Sequence, residues 1–85
     1  MTEQRDRDDL PRGAVDAELW NGIGNEFAGV HFRKVSTRNG ERLELYAPRT
    51  ESRILLDPMA LEVLADQQPE FFTHLIATRL GSVDD

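Results

Sequence analysis

The sequence predicts an α+β domain: a three-stranded antiparallel β-meander followed by two α-helices packed on one face of it. Three observations carry this. Asn39-Gly40 is a tight-turn pair set between two stretches in which apolar residues alternate with charged ones. Asp57-Pro58 joins a capping carboxylate to a proline suited to the first helical position. Pro69 and Gly81 bracket a run in which Phe72, Leu75, Ile76 and Leu80 recur near helical spacing. The 85 residues make one domain, and so small a core supplies only roughly 3–5 kcal/mol unless something reinforces it.

Residues 1–15 alternate charge signs and hold almost nothing to bury, so they read as a disordered tail. The domain is expected to span residues 16–81, with 82–85 a second tail. Asp16 caps a short helix through Ala17, Glu18, Leu19 and Trp20, and the following NGIGNEF reads as a turn-rich link.

With Asn39 and Gly40 as a two-residue loop, Arg38 faces Glu41 and the strands run outward from there. One face then collects Val30, Phe32, Leu43, Leu45 and Ala47, an apolar patch for the core. The opposite face sets Arg33 against Tyr46, Val35 against Glu44 and Thr37 against Arg42. Pro48 breaks the ladder in a second turn, and Arg53–Asp57 supplies a third strand with Ile54 and Leu56 on one face. The first helix buries some of Leu61, Leu64 and Ala65, with Met59 or Val63 at the margin; Pro69 ends it and starts the second. A meander of three strands leaves two edges unpaired, open to a second copy or another protein.

The net charge of −6 is unevenly placed. Residues 1–18 carry six acids and three arginines, 19–53 six bases against four acids, and 54–85 six acids and one arginine. Basic charge therefore sits on the sheet, between acidic ends. An acidic chain argues against nucleic acid as a partner, because that binding rests on phosphate neutralisation. No stretch approaches the ~20 apolar residues of a membrane span, and the charged start MTEQRDRDDLPRG is not a secretory leader. The absence of cysteine removes disulfides and thiolate metal sites and fits a reducing compartment. The expectation is a cytoplasmic protein with no membrane partner.

Chemistry is sparse. His31 and His74 lie on different elements without metal-ligand spacing. No serine sits in a Gly-x-Ser-x-Gly elbow, and Gly22-Ile23-Gly24 lacks the third glycine of a dinucleotide fingerprint. No cofactor is expected, and no residue is assigned a catalytic role. The strongest constellation is Arg33, Arg42, Tyr46, Arg49 and Arg53, guanidinium groups around one aromatic ring, residue types enriched at binding hot spots. It reads either as an anchor for an acidic partner or as a solvated sheet back whose arginine stems cover apolar area.

Asn25-Glu26-Phe27, Val35 to Glu44, Pro48-Arg49, Leu56-Asp57-Pro58 and Leu61-Glu62 together resemble a pattern in short actinobacterial proteins that often carry the label "dihydrodiol dehydrogenase". The resemblance spans about residues 23–80. It implies a small companion of enzymes that degrade aromatic or other small organic compounds. The oxidation implied by the label does not carry over, since the chain lacks both the length and the glycines of a dinucleotide domain. The expected role is a non-catalytic accessory or small subunit docking on a larger enzyme through the basic hairpin face or a free sheet edge. The alternatives are a small homodimeric module binding an acidic ligand, and a small enzyme formed at a dimer interface with His31 as base.

Overall fold

The computed structural model describes residues 10–79, so most of the expected N-terminal tail and all of the C-terminal one lie outside them. Five strands form one antiparallel sheet: β1 (Ala14–Ala17), β2 (Asn21–Gly24), β3 (Gly29–Thr37), β4 (Gly40–Ala47) and β5 (Ser52–Leu56). Two helices follow, α1 (Pro58–Ala65) and α2 (Pro69–Arg79). The α+β class holds, with five strands in place of three.

The two additional strands correct the reading of residues 14–24. No helix follows Asp16; Ala14, Asp16 and Ala17 pair with Thr37, Ser36 and Val35, with a bulge that sets Val15 out of the ladder. Asn21–Gly24, expected as a link, pairs with the other half of β3, Asn21 against Phe32 and Gly24 against Gly29. Both segments thus share one edge of β3, and Glu18, Leu19 and Trp20 form the break between them. The long β3 outcompetes weak local helix propensity here, because four-residue segments take their structure from the edge they can pair with. The β2–β3 turn is held by Asn25, whose Oδ1 accepts from the backbone N–H of Phe27 and Ala28 at 2.8 and 3.0 Å.

The central hairpin forms with its loop one residue earlier than expected. Thr37 pairs with Gly40, so Arg38 and Asn39 make the turn and Gly40 alone carries the positive φ, 146°. Thr37 Oγ1 donates to the Gly40 carbonyl at 3.0 Å. The register therefore shifts by two residues: Arg33 faces Glu44, Val35 faces Arg42, and Tyr46 faces His31. A two-residue shift preserves the alternation, so the membership of each face stays as expected while every cross-strand partner changes.

Burial is the larger correction. Val35 is the one fully buried apolar side chain among the described residues, and it shares the charged face with the equally buried Arg33 and Glu44. The apolar face is open: Val30, Phe32, Leu43 and Leu45 are only half-buried, and Ile54 is 52% exposed.

The helices do not lie over that face. Asp57 is the single residue between β5 and α1, and its side chain caps the helix by accepting from Ala60 N at 2.8 Å. So short a connection holds α1 beside the ends of β4 and β5, where Pro58 and Leu61 line a shallow pocket with Leu43 and Lys34. The second helix packs against no strand. Neither helix buries a residue fully: of the three residues of which some were expected to be buried, Leu61 is half-buried and Leu64 and Ala65 are exposed. No described helix is long and apolar enough to cross a membrane.

Candidate functional site

Glu44 organises the charged face. One carboxylate oxygen, Oε1, accepts from Arg33 Nε at 2.7 Å, with both side chains fully buried. The other, Oε2, accepts from an Arg53 terminal nitrogen at 3.2 Å. Direct opposition in β3 and β4 sets the first contact, and Arg53 reaches in from β5, where it pairs with Tyr46. No buried side-chain polar atom among the described residues lacks a partner. That matters because an uncompensated charge in such a place costs several kcal/mol.

The roof over this pair is aromatic. Trp20, from the break between β1 and β2, lays its ring 4.2 Å from the Arg33 guanidinium carbon. Arg53 stacks 4.8 Å from the Tyr46 ring and 6.0 Å from that of Trp20. His31 completes a triangle, its ring 6.3 Å from Trp20 and 6.2 Å from Tyr46, both edge-on. These distances fall in the range where cation–π attraction is felt. Trp20 thereby covers a desolvated cation instead of filling an apolar core.

Next to the triangle the surface carries no side chains. Gly22 pairs with His31, and Gly24 with Gly29, so all three glycines face the same side as the rings. None has a positive φ. A Cβ at Gly22 or Gly29 would meet nothing nearer than a carbonyl oxygen 3.9 Å away. The backbone does not demand glycine there, and glycine weakens a strand. What it provides is a flat shelf that another molecule can approach closely.

The five residues singled out from the sequence separate into two places. Arg33, Tyr46 and Arg53 come together around Trp20 and Glu44. Arg49, in the β4–β5 turn at the same end of the sheet, donates to the Phe27 carbonyl at 3.0 Å and ties that turn to the β2–β3 turn. Phe27 itself is 72% exposed. Arg42 stands toward the hairpin loop, where it lines an open groove of about 540 Å³ with Arg12, Thr37, Arg38 and Leu55. The surface expected from the sequence was continuous and basic; in the structure Arg33 is fully buried against Glu44 and unavailable to a partner.

Trp20, Glu44 and the three glycines were missed. A loop at Asn39-Gly40 sets Glu44 against Val35, and local propensity puts Trp20 on a helix, so neither stands out from the sequence. The usable signal is Gly22-x-Gly24 followed by Gly29: three glycines within eight residues, in a segment that can pair as a strand. Among the described residues no three His, Cys, Asp or Glu side chains gather as a metal site. Comparison of the chain with family models, curated proteins and solved structures finds no match.

Proposed function

We propose that the chain is a non-catalytic docking subunit of a larger enzyme, held through the aromatic platform of Trp20, His31 and Tyr46 with its glycine shelf. The observation that carries this reading is the shelf: three glycines, of which Gly22 and Gly29 have no steric need to be glycine while a Cβ at Gly24 would crowd the Ala28 carbonyl at 3.3 Å, beside three rings and a half-exposed Arg53. Tryptophan, tyrosine and arginine are the side chains that most often dominate binding energy, and a surface without side chains lets a partner's backbone come close. The rings present edges and a guanidinium, which suits a partner loop bearing carboxylates. The resemblance noted above makes that enzyme one of small-organic-compound degradation.

The test is recovery of a partner from cells that make the protein naturally, using the wild type and Gly22→Val. Valine fits the strand and leaves the fold intact or slightly more stable, while filling the shelf. Docking here predicts one large enzyme chain recovered in fixed ratio with the wild type and lost with Gly22→Val. Equal recovery with both, or recovery of nothing with the wild type, refutes the reading.

A further inference from the structure

The hairpin end of the charged face holds a second surface, separate from the platform: Arg42 precedes Tyr46 on β4 by four residues, ~13 Å along the strand. Two turns meet there. Pro11 to Ala14 closes the first, the Ala14 N–H donating to the Pro11 carbonyl at 3.1 Å, with Gly13 at φ 89° in the third position of a type II turn. A Cβ at Gly13 would meet nothing within 4 Å, so the backbone angle alone calls for glycine. Thr37 to Gly40 is the second turn, the hairpin loop. Pairing of Ala14 with Thr37 sets the two side by side, and each carries an arginine in its second position, Arg12 and Arg38. Arg42 reaches the same place from β4, where it opposes the buried Val35. All three line the open groove of about 540 Å³, together with Asn39 and an apolar wall of Val15 and Leu55.

Charge pairing sets this groove apart. Elsewhere on the sheet the cations are engaged: Arg33 and Arg53 meet Glu44, Lys34 meets Glu18 and Glu41, and Arg49 meets the Phe27 carbonyl. Arg12, Arg38 and Arg42 pair with no carboxylate among the described residues, although the chain holds 16 acids to 10 bases. A cleft lined by one sign of charge concentrates ions of the other. We infer that the groove binds a phosphomonoester, a phosphate group carrying a small apolar substituent. Guanidiniums arriving from two turns and a strand approach from different directions. That suits the three terminal oxygens of a tetrahedral phosphate better than the two coplanar oxygens of a carboxylate. The groove is larger than phosphate alone needs and lies in the size range of small-ligand sites. Val15 and Leu55 supply apolar area for the substituent. A net charge of −6 repels long polyanions such as nucleic acid, which leaves small anions as the occupants.

Calorimetric titration of the full chain with phenyl phosphate, and separately with inorganic phosphate, tests this. Phenyl phosphate should bind saturably at one site and several-fold more tightly than inorganic phosphate. Arg38→Gln and Arg42→Gln should each weaken it about tenfold, the loss of one charge-assisted contact, whereas Arg79→Gln in α2 makes the same charge change and should leave it within about twofold. Neither groove arginine has a carboxylate to lose among the described residues, so both variants should keep the wild-type urea midpoint without ligand. Absence of saturable binding, equal affinity for the two probes, or an equal loss with Arg79→Gln overturns the inference. So does a fall in the ligand-free midpoint of both groove variants, which would make these arginines structural. The docking test is independent: Gly22→Val leaves phosphate binding unchanged, and Arg42→Gln leaves recovery of the enzyme to stand or fall separately.

Discussion

On one face of the sheet Arg33, Val35 and Glu44 have almost no exposed surface; on the other, Ile54 and Ile23 stand more than half in water. Composition alone suggests the reverse. Around Arg33 and Glu44 the charged face is closed, because Arg33 and Arg53 meet Glu44 from different strands and because Trp20 lies over the guanidinium that would otherwise face solvent. The apolar face is open because the one helix that reaches it is eight residues long and tethered at its edge. Polarity therefore does not decide which face becomes the interior. Available covering groups decide it, and this chain spends its only tryptophan on the charged side. The open side is then left to solvent.

Removing Glu44 gives the largest effect. Glu44→Ala leaves Arg33 buried and uncompensated, and the expected loss is about 3–5 kcal/mol by urea unfolding, near the whole stability of a domain this size. Replacing the pair together, Arg33→Met with Glu44→Leu, should be neutral or stabilising, because both desolvation penalties disappear. A mild Glu44→Ala would mean that the charged face is wetter than the contacts imply. Trp20→Ala comes next. It removes the roof and the stacking on Arg33, about 1–2 kcal/mol in the same assay, and any smaller loss weakens the case that this face is closed by an aromatic cover.

Ile54→Ala sharpens the other side of the comparison. On an isolated chain a half-exposed residue of this kind changes stability by no more than about 0.5 kcal/mol. A larger loss would mean that the face is covered, and a loss that grows with protein concentration that a second copy covers it. Unfolding curves at two concentrations separate the cases.

The smallest effect is electrostatic. On the open face Lys34 lies 3.3 Å from Glu41 and 3.6 Å from Glu18, and the hydrogen bond to Glu41 raises its ammonium above the usual 10.5. A raised lysine contributes stability below pH 10.5 and loses it as pH climbs through the higher folded value. A urea-midpoint series should therefore fall slightly across that window, and less so in high salt. The pair is exposed, so a large fall would point to another group.

Much of the sheet was legible. The hairpin, the third strand and the Asp57-Pro58 helix start were each specified by local chemistry: a glycine turn, β-branched and leucine alternation, a capping carboxylate. Face membership survived the register difference because the shift was even-numbered. The strands at Ala14–Ala17 and Asn21–Gly24 were not legible, since glycine and alanine carry little strand preference and both segments depend on an edge supplied by distant residues. The site suffered for the same reason. Its centre is a cross-strand contact between Arg33 and Glu44, and one such contact changes with every shift of the ladder. Arg49 was identified as an anchor, yet its guanidinium ties two turns together through the Phe27 carbonyl.

Amide hydrogen exchange followed at high and low protein concentration tests both sides of the comparison at once. Strong protection in β3 and β4 around Val35 and Glu44 at every concentration, with fast exchange along α2, which packs against no strand, is the predicted result. A strongly protected α2, or central strands that exchange as fast as the helices, would contradict it.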